Sequence, residues 1–355
     1  MMKNNINRNK EQRKQFVLAH IVHEYVSTAL PVSSMAVARK MGGSLSSATI
    51  RNIMAELEEE GYIEQPHTSA GRVPTQRGYR CYVDIVRDRI HSEKKEAERL
   101  AAEYDRRINT IKEVIRKTSY LISRELHSAG VAMWPSIEYL YLKHFELVKV
   151  KAETVLAVLV TVTNDVKNYI IKLDRELGKT ELEKISNYIN SNYEMEPISA
   201  IYDDLKHVAE GKRENVDKEA FRAVKTALNV IDTIVEENIE DEIYWEGLNY
   251  FMDEPEFQDI NITRNMLKVF SDKRGLISMM RGELPYEGLR VYIGKENQSR
   301  MLKDCSVVTC GYSLRGRTVG RIGVIGPTRM DYDHALRTVS CLSHLISEKL
   351  RMINS

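Results

Sequence analysis

Between Ser46 and Arg80 the chain collects side chains suited to meeting a nucleic-acid duplex: short hydroxyls, one asparagine, one histidine and several arginines. Asn matches the donor and acceptor pair on adenine's major-groove edge, and Arg matches guanine. In SLSSATIRN, residues 44–52, Ser47, Thr49, Arg51 and Asn52 are therefore the candidates for reading bases. Further on, PHTSAGR presents His67, Thr68, Ser69 and Arg72, polar donors of the kind that hydrogen-bond to phosphate or enter a minor groove. Together with Ser46, Arg77 and Arg80 they are the candidates for holding the duplex backbone.

Those groups need a helix and a turn to place them. From Ser47 to about Glu60, the residues Ile50, Ile53, Met54 and Leu57 recur at i, i+3, i+4, i+7, one face of a helix. Asn52 then lies opposite the apolar stripe, flanked by Thr49 and Arg51, with small Ala48 and Ala55 permitting close approach. Ser46 suits the N-cap. Glu58, Glu59 and Glu60 would repel phosphate, so the N-terminal half of this helix is expected to face the duplex. Gly61 ends it, and 62–65 with 72–73 read as two short strands around a turn carrying Pro66 and Gly71.

Upstream, Val17, Leu18, Ile21, Val22 and Tyr25 stripe a first helix over 11–28. Pro31 breaks it, Ser33 or Ser34 caps a short second helix, and Gly42-Gly43 turns into the third. Gln76 to about Ile90 reads as one more helix. The whole is the pattern of a winged helix-turn-helix over 1–90, a module that binds DNA and in other settings binds proteins.

Net charge is only +1, yet residues 1–90 hold 13 Lys or Arg against 9 Asp or Glu, a net of +4. The remainder is net −3, so a duplex is drawn to the N-terminal end. With 355 residues, two or three domains are expected. The longest strongly apolar run, 155–160, is far too short to span a bilayer, and no signal-peptide pattern opens the chain, so the expected location is cytoplasmic. Cys81, Cys305, Cys310 and Cys341 form no CxxC pair, and no HExxH or Cys/His cluster proposes a metal. Gly316, Gly320, Gly323 and Gly326 lack both GxGxxG spacing and a Walker lysine. No nucleophile elbow or framed carboxylate pair is present, so neither an enzyme nor a cofactor is expected.

Beyond the first 90 residues, Ala97, Ala101, Tyr104, Ile108, Ile111, Ile115, Thr118 and Ile122 form a heptad stripe, read as one long connecting helix over 92–127. Strand patterns follow at 139–150, 154–162 and 166–173, with Asn164-Asp165 as a hairpin turn, then a helix over 180–190. A mostly helical, partly acidic stretch fills 194–273. Strands return at 290–293, 306–312 and 318–325, and a last helix covers 332–352. The expectation is an α+β multidomain chain: 91–193 and 274–355 make one antiparallel sheet with flanking helices, interrupted by an inserted domain at 194–273.

SLSSATIRN, MAELEEEGYIEQPHTSAGRVPT and GYRCYVD, together with GVIGPTRMDY at 323–332, resemble the HrcA family of heat-inducible transcription repressors. Ser33 stands where that family usually has glycine, and Ile53 where it often has an acid. The resemblance implies a GAF-like central domain carrying a dimerisation insert. It further implies a homodimer on the inverted-repeat CIRCE operator of groE- and dnaK-type chaperone operons, with the chaperonin GroEL as modulator and release on heat stress. The alternative is a metabolite-responsive winged-helix regulator whose GAF-like domain binds an effector.

Overall fold

The computed structural model describes residues 2–42, 44–67, 70–88, 94–104, 110–136, 139–162, 166–210, 218–237, 243–284 and 286–353. Helix α1 (Met2–Thr28) begins ahead of the expected Glu11 and buries Val17, Leu18, Ile21 and Val22. Ser33 accepts from the Ala36 amide and starts α2 (Ser34–Lys40). Ser46 accepts from the Thr49 amide at 3.1 Å and starts α3 (Ser47–Glu59), whose buried residues are Ile50, Ile53, Met54 and Leu57. Gly61 follows with φ +76°, the left-handed turn that favours glycine after a helix. Strands β1 (Ile63–Glu64) and β2 (Val73–Pro74) pair antiparallel, and Val32 bridges to Arg72 with two 2.8 Å backbone hydrogen bonds. A Cβ on Gly71 would lie 2.5 Å from the Val32 carbonyl, so only glycine lets the ribbon close on this link. Helix α4 (Gln76–Arg87), capped by Thr75, buries Tyr79, Tyr82 and Val83.

The expected long helix over 92–127 is two helices. α5 (Lys94–Glu103) ends and α6 (Ile111–Leu126) restarts behind a capping box in which Thr110 and Glu113 satisfy each other's amides. Arg99 pairs with Glu125, Arg124 with Glu103, and the Tyr104 hydroxyl lies 2.6 Å from that of Thr118, so α5 doubles back along α6. Of the heptad stripe, Tyr104, Ile111, Ile115, Thr118 and Ile122 are buried by this fold-back and by the sheet, Ala97 and Ala101 are half-buried, and Ile108 lies outside the described residues.

Five strands form the central antiparallel sheet in the order β7-β3-β10-β9-β8: β3 (Ala129–Met133), β7 (Ile243–Glu246), β8 (Leu289–Ile293), β9 (Cys305–Leu314) and β10 (Arg317–Pro327). One face packs on α6 and α13 (Tyr332–Ile353). The other packs on α10 (Leu248–Asp253), α11 (Ile260–Ser271) and α12 (Lys273–Gly282). Arg321 in β10 has no exposed surface; it donates to the carbonyls of Glu283, Tyr286 and Gly288 and to Thr309. Burial lowers its pKa, and those neutral acceptors replace the water it has lost.

The strands at 139–173, expected in that sheet, make a separate one. β4 (Leu142–Lys151), β5 (Thr154–Thr161) and β6 (Val166–Lys172) pair in that order beneath α7 (Lys179–Tyr193), α8 (Ile198–Ala209) and α9 (Lys218–Glu237), around their own apolar core. This second core takes residues from 142 to 234, and β7, from inside the expected insert, belongs to the central sheet. The changeovers therefore fall near 140 and 240, whereas 194 and 273 were expected. Alternation fixes that a segment is a strand; which sheet it joins depends on distant partners. The expected Asn164-Asp165 turn lies outside the described residues.

Candidate nucleic-acid interface

Four hydrophobic side chains anchor α3 in the N-terminal core, and its opposite face is bare. Ser46, Ala48, Thr49, Arg51, Asn52 and Ala55 are all exposed. Ser46 and Thr49 occupy each other, their hydroxyls 2.9 Å apart. Arg51 and Asn52 make no hydrogen bond or ion pair among the described residues, so their donors and acceptor are available to an outside partner.

Ser47 was expected among these base readers. It is half-buried instead, its hydroxyl 3.1 Å from that of Ser34, where it ties α3 to α2. The 100° step per residue carries it round towards the preceding helix and away from the exposed face.

The acidic end of α3 is neutralised from within. Lys14 on α1 lies 2.9 Å from Glu56 and 2.5 Å from Glu60, while Lys10 reaches Glu56 at 3.0 Å. Hydrogen bonds to Glu60 and Glu56 raise the Lys14 pKa, and those from Lys14 and Lys10 lower that of Glu56. Sequence reading missed this pairing, though the signal was there: lysines at 10 and 14 and glutamates at 56 and 60 each lie four apart on one helical face.

The ribbon is fastened to the same helix. Arg72 donates Nε and Nη2 to Glu58 at 2.8 and 2.7 Å, so its guanidinium braces the turn against α3 rather than standing free. His67 is exposed; Thr68 and Ser69, expected beside it, lie outside the described residues. Arg77 is exposed with its guanidinium 4.7 Å above the Tyr62 ring, a stacking that leaves N–H groups at the rim. Arg80 departs from expectation. It bonds Glu296 and the Val291 carbonyl of the central body, which removes it from any duplex lying on α3.

The arrangement supplies positive charge, unpartnered polar groups and small residues on one face, and carries no group of His, Cys, Asp or Glu able to hold a metal among the described residues. No helix among them is long and apolar enough to cross a membrane.

The chain resembles known proteins over nearly its full length. The family model described as "HrcA protein C terminal domain" matches residues 112–336. The "Heat-inducible transcription repressor HrcA" of Syntrophobacter fumaroxidans is 34% identical over 342 residues, covering 96% of this chain and 97% of that one. Its namesake from Brevibacillus brevis is 35% identical over 345 residues, covering 97% and 98%. Among solved structures, "Crystal structure of a hypothetical protein at 2.2 A resolution" superposes with TM-score 0.63 at 24% identity, over 96% of this chain and 98% of that one. That likeness speaks to fold alone.

Proposed function

The chain belongs to the HrcA family of heat-inducible transcription repressors, and from that premise we propose how it represses. Residues 1–90 act as a winged helix-turn-helix, with α3 as the reading helix and the β1–β2 turn as the wing. The N-terminal half of α3 enters the major groove, where Thr49, Arg51 and Asn52 meet base edges. Ser46, His67, Thr68, Ser69 and Arg77 hold the backbone; Arg72 keeps the wing in place for them. The observation that carries this reading is the pair of exposed, unpartnered side chains, Arg51 and Asn52, on the face of α3 opposite the core, while nearby Lys14 and Arg72 are taken up by Glu56, Glu60 and Glu58.

The protein works as a homodimer on an inverted repeat, because two-fold protein symmetry and operator palindromy go together. By family resemblance that repeat is the CIRCE element of chaperone operons, and the five-stranded body is the GAF-like domain. The β4–β6 sheet supports a dimer contact in its own module, over about 139–237. Its helix-free face sets Val148, Leu156 and Ile170 side by side and, beyond the row Glu146, Val158 and Asn168, His144, Val160 and Val166. Ile170 is 69% and Val166 53% exposed, a patch that calls for cover. Repression is occlusion of the promoter in the cytoplasm, supported by the chaperonin GroEL and lost on heating.

A gel shift with the CIRCE repeat tests this. Retardation of the repeat over a scrambled duplex, strengthened by chaperonin, is expected; equal binding to both duplexes would refute it.

A further inference from the structure

We propose that Arg329 is a positioning residue that fixes the bearing of the DNA-reading module on the body, with Arg80 as the second anchor, so that the two together set which half-site spacing the dimer accepts. This rests on the operator reading above.

The last carbonyls of a helix have no partner within it. At the end of α1, the Tyr25 carbonyl is taken by the Ala29 amide, but the Val26 carbonyl accepts from Arg329 Nη1 at 2.8 Å. The other edges of the same guanidinium reach Glu256 at 2.6 Å and Glu254 at 2.7 Å. One planar fork, 12% exposed, therefore joins three segments: the end of α1, the stretch before α11, and the loop between β10 and α13. A cation at a helix C-terminus also complements the helix dipole. Lysine offers a single point charge and lacks the fork that joins all three.

On α4, Arg80 makes the second tie, to Glu296 and to the Val291 carbonyl in β8 at 2.7 Å. Between the two ties the Tyr79 and Tyr332 rings pack with centroids 5.6 Å apart. Two separated ties leave only rotation about the line that joins them, and the packed Tyr79 and Tyr332 rings oppose that. Each head of the dimer then has a set bearing, and the distance between the two reading helices is set with it. When geometry forbids both heads from engaging together, the gain from bivalency is lost although each head still binds.

The test uses the full-length protein, fluorescence anisotropy, the CIRCE repeat with its spacer lengthened or shortened by single base pairs, and a duplex with one half-site. Arg329→Ala is expected to lose about tenfold or more on the parent spacing, to stay within about twofold on the half-site, and to show a flattened spacer preference. Glu256→Gln, which keeps the side chain's size, is expected to shift the same way and decides the matter if Arg329→Ala does not fold. Variants that keep the parent's affinity and spacing optimum, or that lose repeat and half-site binding alike, overturn the positioning role while leaving the operator reading standing. A parent protein that binds the repeat no better than a scrambled duplex overturns the operator reading itself, and this inference with it.

Discussion

Arg51 and Asn52 sit one residue apart on α3, exposed and unclaimed, while Ser47 beside them is drawn into the contact with α2. Exposure alone does not separate a reading residue from an idle one. Freedom from internal partners does more, because a group already hydrogen-bonded has less to gain at a base edge. Arg51→Ala and Asn52→Ala are each expected to cost roughly 1–3 kcal/mol of operator affinity in anisotropy titrations while the melting temperature holds. In the proposed function Arg77 is a phosphate neutraliser. Arg77→Ala should weaken all duplexes alike and reduce the slope of log K against log salt by about 1. A sequence-dependent loss on Arg77→Ala would instead make it a base reader.

The fold-back of α5 on α6 carries its own pH signature. Arg99 beside Glu125, with Arg124, holds the Glu125 pKa down to about 2 from an ordinary 4.5. A lowered folded pKa stabilises the fold above the unfolded value of 4.5 and is lost as pH falls towards 2. Urea unfolding of the parent across that window should show the loss, and Glu125→Gln should show a shallower acid dependence. Equal slopes for the two would mean the pair contributes nothing measurable. At the β4–β6 sheet, α7 seals the β4 edge: Asn190 and Ser186 accept from the Phe145 and Leu147 amides at 2.8 and 3.0 Å. The open edge and the bare apolar face both lie at β6. Ile170→Lys places a charge in that patch and should convert the proposed dimer to a folded monomer in sedimentation velocity. A variant that sediments like the parent dimer would place the contact elsewhere.

Over the whole molecule, one apolar core runs from α1, α3 and α4 through α6 and β10 to α13, a second encloses the β4–β6 module alone, and a third lies between the other face of the central sheet and α11 and α12. A shared core couples the elements that share it, and separate cores open separately. Hydrogen exchange on heating should therefore show α1, α3 and α4 losing protection together with β9, β10 and α13. The β4–β6 module should open at its own temperature. Early release of α1–α4, with the body still protected, would show instead that the head is loosely tethered. Under the proposed function, coupling of this kind would make heat loosening of the body and loss of DNA reading one event.

Local pattern was enough for much of this protein. The 3.6-residue stripe of α3, its serine cap and its closing Gly61 are nearest-neighbour signals, so the helix and its outward face were legible in the sequence. The family was legible too, in two long motifs near the ends of the chain. Tertiary structure decided what depends on distant partners: that Ser47, Arg72 and Arg80 are held within the chain, and that the heptad stripe folds back behind Thr110. It also decided that strands 142–172 form their own sheet. A side chain's exposed angle is set by its own helix, but the group that claims its hydrogen bonds arrives from another element, 13 residues away for Ser47, 14 for Arg72 and 216 for Arg80.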